Sequence, residues 1–266
     1  MRLKGQVAII TGGGGGMGGG ISTCLAKEGA NIVVADVNLK AAQRTVAMVE
    51  ALGQRGLALV ADITAQKECD RLVSEALDAF GQIDIVVNNA GIFGERLGLP
   101  FMNQTEAEWD DNYEVNLKGP FFLCKSVAPH MMERKHGKII NISSIAAKRD
   151  PPFVPSYAAT KNALLSLTRI VAKDLGPYNI NVNAICPGFV WTAFWRELAP
   201  KLAATDSAYD GLDARQIFDQ FVQGNIPLKR EQTPEDVGNL VVFLASEEAR
   251  NITGQTINID GGVAMG

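Results

Sequence analysis

Hydrophobic residues in this chain fall into short dense runs separated by longer amphipathic stretches. The runs lie at 7–11 (VAIIT), 31–36 (NIVVAD), 57–62 (LALVAD), 83–91 (IDIVVNNAG), 138–143 (KIINIS), 180–186 (INVNAIC) and 255–260 (QTINID). The early runs are apolar nearly throughout instead of alternating, as parallel strands covered on both faces require. Between them the pattern predicts helices over 16–28, 39–52, 65–80, 106–134, 156–175 and 234–245. Thr64 is placed to cap the third helix and Thr233, followed by Pro234, the last; Gly176 and Pro177 are placed to close the fifth. Strand alternating with helix along the whole length predicts an α/β fold. The expected architecture is one doubly wound, seven-stranded parallel sheet flanked by helices, with residues 1–266 forming a single domain. Only 189–227 breaks the rhythm. It is long, aromatic and helix-like without a strand, and is expected to be a lid over a substrate cleft.

Composition narrows the class further. With 266 residues, 47% of them hydrophobic, the chain can bury a core without disulfide or metal support. A net charge of −4 gives no electrostatic reason to expect a nucleic-acid partner. Cys24, Cys69, Cys124 and Cys186 are scattered, and neither His130 nor His136 lies near a cysteine at ligand spacing. No metal site is expected, and the thiols read as small buried side chains. The opening MRLKGQVAII runs into a strand without a leader-like segment, and no apolar run approaches the roughly 20 residues that span a bilayer. The expected location is the cytoplasm, away from any membrane.

Chemistry enters after the first strand, where TGGGGGMGGG opens the first helix. Glycines there let backbone N–H groups approach a pyrophosphate at a helix N-terminus, where the dipole favours negative charge. So many glycines match many patterns, and a flexible turn would look the same. Asp36 adds the second half of a dinucleotide site. It ends the second strand about 20 residues past the loop, where a carboxylate accepts hydrogen bonds from the adenosine ribose. An NADP 2′-phosphate about 4 Å from that carboxylate would be repelled by roughly 4 kcal/mol at an effective dielectric near 20. Gly15, Val37 and Asn38 offer no offsetting cation and Lys40 lies further along, so the expected cofactor is NAD.

Tyr157 and Lys161, at i and i+4 of one predicted helix, project from the same face. Ser144 ends the fifth strand thirteen residues earlier, and Asn116 lies in the long helical stretch. Thr11, Gly12, Gly16 and Gly18 of the loop, NNAG at 88–91, Ser144, the Tyr-x-x-x-Lys pair and Pro187–Gly188 together resemble the short-chain dehydrogenase/reductase family. The likeness runs along essentially the whole chain in the family's order, and it implies a Rossmann-type fold. It also implies that Tyr157 is the general acid/base, that Lys161 lowers its pKa and holds the nicotinamide ribose, that Ser144 positions the substrate oxygen, and that Asn116 supports a proton-relay water. A free tyrosine has a pKa near 10, and lowering it to about 7 takes roughly 4 kcal/mol of preferential phenolate stabilisation. Adjacent strand residues face opposite ways, so Ser144 and not Ser143 is expected to meet Tyr157. By the same resemblance, Gly12, Gly16 and Met17 hold the cofactor in the loop and Asp62 and Ile63 lie near adenine. Asn89, Ala90 and Gly91 run along the cofactor, and Pro187, Gly188, Val190 and Thr192 lie near the carboxamide. Asn88 and Asn89 have another reading as groups that satisfy backbone between strands.

The reaction these features imply is hydride transfer between a secondary alcohol and its ketone in a homotetramer. A dehydrogenase or reductase of 3-hydroxyacyl and 3-oxoacyl thioesters is the alternative, and a catalytically silent NAD-binding sensor or scaffold a remote one. Phe189, Trp191, Phe194, Trp195 and Phe153 suit a hydrophobic, cyclic or aromatic substrate, although they would equally pack the lid or a subunit interface. Arg96, Arg149 and Arg196 are candidates for a substrate carboxylate or phosphate that no pattern places in the cleft.

Overall fold

The computed structural model describes residues 1–94, 99–204 and 207–265. Arg96, residues 205–206 of the expected lid and Gly266 lie outside the described residues.

Seven strands form one sheet: β1 (Val7–Thr11), β2 (Asn31–Asp36), β3 (Gly56–Val60), β4 (Ile85–Asn88), β5 (Gly137–Ile142), β6 (Ile180–Pro187) and β7 (Thr256–Ile259). All are parallel, in the order β3-β2-β1-β4-β5-β6-β7. Successive side chains of each strand feed opposite cores. Ala8, Ile10, Ile32 and Val34 pack on one face with Ile21, Leu25 and Val241. Val7, Ile9 and Val33 pack on the other with Leu72, Leu123 and Val127. Burial on both sides is why the strands read as continuous apolar runs.

The helices are α1 (Gly16–Lys27), α2 (Leu39–Ala51), α3 (Gln66–Phe80), α4 (Glu106–Tyr113), α5 (Gly119–Arg134), α6 (Ala146–Arg149), α7 (Pro155–Leu175), α8 (Ala193–Ala203), α9 (Ala214–Asn225) and α10 (Pro234–Ala245). Among the described residues, none is long and apolar enough to cross a membrane. Helix α10 packs along α1, where Gly20 allows the approach: a Cβ there would stand 2.3 Å from that of Pro234.

Two expectations need correction. Thr64 does not cap α3; its hydroxyl donates to Asp62 Oδ1 at 2.8 Å, and the N-cap, Ala65, makes no side-chain cap. Asp62, two residues back, competes for the hydroxyl. The single helix expected over 106–134 is interrupted by a π turn at Glu114–Lys118. Pro120 has no N–H with which to meet the Asn116 carbonyl, so a regular α-helical ladder cannot run through. Gly176 closes α7 as expected, in right-handed geometry; a 3-10 turn continues to Tyr178, and the left-handed residue is Asn179 (φ 59). Thr233 does cap α10, its hydroxyl accepting from Asp236 N.

Candidate active site

The strand order reverses between β1 and β4, which opens a crevice at the carboxyl ends of the strands. The glycine loop leaves β1 there and residues 89–91 leave β4. Thr11 ties the two together: its hydroxyl accepts from the Asn89 and Ala90 N–H groups, both at 3.1 Å. Asn89 Nδ2 donates to the carbonyls of Thr11 (2.9 Å) and Gly12 (3.1 Å), so this amide braces the loop. Gly12 is left-handed (φ 60), and a Cβ on it would stand 2.8 Å from Ala90 Cα. Only glycine suits both conditions. Asn88 turns away, donating to Asn141 Oδ1 at 2.8 Å.

A cavity of about 860 Å³ fills the crevice. Every residue expected at the cofactor lines it, from Gly12, Gly16 and Met17 through Asp36, Asp62 and Ile63 to Pro187, Gly188, Val190 and Thr192. The start of α1 carries no capping side chain and no acidic residue in its first turn. A helix start left in that state offers N–H groups and positive potential to an anion, and the open space beside Gly15 and Gly16 leaves room for one. Asp36 is pinned beside the loop, accepting from Gly14 N and Asn38 N, each at 2.9 Å. The residues present fit a dinucleotide.

At the far end β5, α6 and α7 bring together the chemical groups. The Ser144 hydroxyl accepts from Ala146 N at 3.1 Å and stands near enough to the Tyr157 phenol to draw its pKa down. Ser143 donates instead to the Lys161 carbonyl at 2.8 Å. Lys161 Nζ donates to the Ile142 carbonyl at 2.9 Å and stands 5.7 Å from the centre of the Tyr157 ring. Burial pushes the Tyr157 phenol up to about 12, against the downward pull of Ser144. Burial pulls the Lys161 ammonium down to about 8. Lys161 was expected to depress the tyrosine. Here the desolvation of the phenol outweighs the pull of its neighbours.

Asn116 lies behind this group: a Cβ on Gly91 would meet Lys161 Nζ at 3.1 Å and Asn116 Oδ1 at 3.2 Å. It is fully buried in the π turn and does not line the cavity. Its Nδ2 donates to the Ile92 carbonyl and to Asn112 Oδ1, both at 2.9 Å, and its Oδ1 accepts from Ile92 N at 2.9 Å. The amide clamps the segment after β4, and its Nδ2 also lies 3.3 Å from Thr160 Oγ1, on the helix that carries Tyr157 and Lys161.

The lid candidate supplies one wall. Phe189, Phe194, Trp195 and Phe221 line the cavity and also pack on one another, Trp195 edge-on to Phe189 at 5.4 Å. Trp191 lies outside the cavity against Phe218, with Arg215 and Arg196 over its ring. Arg149 reaches the cavity; Arg196 does not. Sequence reasoning missed Phe93, which stacks on Phe194 at 4.0 Å and leans on the Tyr157 ring at 4.5 Å. It sits in an irregular segment, where no periodicity marks an inward residue.

The sequence model of a family described as enoyl-(acyl carrier protein) reductase matches residues 13–264. Sorbitol dehydrogenase of Cereibacter sphaeroides is 38% identical over 263 residues, which cover 98% of each chain. The chain is a short-chain dehydrogenase/reductase. Another relative of this short-chain oxidoreductase is a hydroxy(phenyl)methylsuccinyl-CoA dehydrogenase subunit of Thauera aromatica, 36% identical over 100% of this chain and 99% of its own. A solved structure of NAD+-bound xylitol dehydrogenase superposes with a TM-score of 0.91 at 31% identity, covering 98% of this chain and 100% of the other.

Proposed function

We propose that this short-chain dehydrogenase/reductase uses NAD to transfer a hydride between a secondary alcohol and its ketone, and that the substrate is hydrophobic, cyclic or aromatic. The observation that carries the reading is one cavity with Asp36 at one end and the Ser144–Tyr157–Lys161 cluster at the other. NAD, when bound, supplies the hydride acceptor or donor. Tyr157 passes the proton at the substrate oxygen, Ser144 orients that oxygen, and Lys161 carries the positive charge that favours the phenolate. Asn116 supports a proton-relay water, and its side chain positions the chain at Ile92. Residues 1–266 are read as one catalytic domain with 189–227 as its lid. Asp36 supports NAD over NADP by charge repulsion, in keeping with the NAD+ in the xylitol dehydrogenase structure.

Sorbitol and xylitol, named for two of the relatives, are polyols. A polyol in this cavity would bring several hydroxyls against Phe153, Phe189, Phe194, Trp195 and Leu198. Each hydroxyl left without a partner costs about 1–3 kcal/mol, which favours a substrate with an apolar ring. The phenyl group in the name of the Thauera relative agrees with that choice, and its CoA thioester keeps a 3-hydroxyacyl thioester as the second reading. Exposed Trp109, Tyr113 and Phe121 around α4 and α5, Ile170 on α7 and Met265 near the C-terminus are consistent with a homotetramer.

The test is NADH absorbance with a panel of secondary alcohols, run on the parent and on Tyr157→Phe. The variant is expected to bind NAD normally while kcat falls by a factor on the order of 10² to 10⁴. Turnover within a few-fold of the parent would put the base elsewhere.

A further inference from the structure

The charged groups lining the cavity are divided between its ends. Asp36 closes β2 and Asp62 follows β3; Arg149 ends α6, which follows β5. In the sheet order, β5 is three positions from β2 and four from β3. That is a lateral offset of roughly 14 to 19 Å at the usual interstrand spacing. It exceeds the Debye length of roughly 8–10 Å at physiological salt, so the carboxylates of the adenosine end are screened from Arg149, and the nearest acid in sequence, the exposed Asp150, makes no ion pair with it.

Three observations single this arginine out. It lines the cavity but lies at its exposed rim, on the side of Tyr157. Among the described residues no carboxylate, carbonyl or ring partners its guanidinium. Lys161 is the other cation of the cavity, but it is buried and held by the Ile142 carbonyl. The cavity is lined largely by apolar side chains, Phe153, Val154, Phe194, Trp195 and Leu198 among them, with Asn225 a polar exception. A neutral apolar ligand would use those walls and leave the arginine idle. A ligand with an anion at its outer end would use both, because a guanidinium binds carboxylate or phosphate oxygens in a planar fork.

We infer that Arg149 recognises an anion on the substrate, which is then a ring-bearing secondary alcohol or ketone with a carboxylate or phosphoryl group remote from the reacting carbon. This rests on the alcohol–ketone reading and goes beyond it by giving the substrate a charge and the charge a partner. A small ring acid supplies the anion as a carboxylate; a coenzyme A thioester supplies it as phosphate.

The experiment is calorimetric titration of the NAD+-loaded protein with acetophenone, 4-acetylbenzoate and acetoacetyl-CoA, repeated with Arg149→Gln and Arg149→Lys. The parent is expected to bind 4-acetylbenzoate about tenfold or more tighter than acetophenone, the scale of a charge-assisted hydrogen bond at a partly exposed site. The ratio should fall toward one in Arg149→Gln, return in part in Arg149→Lys, and shrink with added salt. Loss of acetoacetyl-CoA affinity in Arg149→Gln, with no benzoate preference in the parent, would assign the anion to phosphate. Equal binding of all three by the parent, no binding of any, or a preference that survives Arg149→Gln overturns the inference. NADH oxidation with the same ketones is measured in parallel. Charge-selective binding without turnover would strike the reaction assignment and leave the anion site standing.

Discussion

Lys161 is expected to destabilise the protein that needs it. Burial lowers its ammonium from 10.5 to about 8. In the unfolded chain the ammonium stays protonated up to about 10.5, so at neutral pH the folded state carries a charge it has partly desolvated. That difference corresponds to roughly 3 kcal/mol of stability lost at neutral pH. Lys161→Met keeps the shape of the stem and removes the charge. It also removes the bond to the Ile142 carbonyl, 2.9 Å long, at a cost of about 1 kcal/mol. The net expectation is a variant about 2 kcal/mol more stable and inactive, with Tm raised by roughly 4–6 °C for a chain of this size. Between about 8 and about 10.5 the unfolded chain binds a proton that the folded one has released, so the parent gains stability as pH rises through that window. The advantage of the variant should therefore be full at neutral pH, about two-thirds gone midway, and reversed at the top, where the parent keeps its hydrogen bond and has lost most of the penalty. Thermal and urea unfolding of both proteins without nucleotide, from neutral pH to about pH 10, measures it. Tyr157, whose phenol is pushed up to about 12 when folded and ionises near 10 when unfolded, is present in both proteins, so its contribution near pH 10 cancels in the comparison. A variant less stable than the parent at neutral pH, or a gap that does not change with pH, would refute the reasoning.

Asp36→Ala is expected to narrow an NAD preference of at least about a hundredfold in kcat/KM, roughly 2.7 kcal/mol; equal use of NAD and NADP by the parent would defeat the charge argument. Gly19→Ala should raise stability by about 0.5–1 kcal/mol in thermal unfolding, because a Cβ there meets only Thr45 Oγ1 at 3.6 Å. Gly18→Ala should disrupt the loop and weaken NAD binding, its Cβ falling 2.2 Å from the Gly12 carbonyl oxygen. Light scattering should report a homotetramer at working concentration, and a stable monomer would rule out the assembly read from Trp109, Tyr113, Phe121 and Met265.

The readings that held were those set by local chemistry. Val7–Thr11, Asn31–Asp36 and Pro234–Ala245 fall where the pattern put them, because buried parallel strands and capped helices leave short-range signatures. Thr64 failed as a cap because Asp62 takes its hydroxyl. The split of the helix over 106–134 was partly visible in Pro120, but hydrophobic periodicity tracks the apolar face and does not register one extra residue per turn.

By its residues alone the chain determined the α/β alternation, the loop at the first helix, the acid at the end of the second strand and the pairing of Tyr157 with Lys161 on one helix face. Each is a matter of neighbours within a turn or of strand-by-strand order, which the backbone translates directly into space. Only the tertiary structure decided that Ser143 holds the Lys161 backbone, that the Asn116 amide braces Ile92, that Phe93 stacks on Phe194, and that Arg149 reaches the cavity while Arg196 covers Trp191. Those outcomes depend on which of several available partners a side chain finds once distant strands and helices close around one crevice. That competition is settled by burial and hydrogen-bond geometry between segments far apart in sequence.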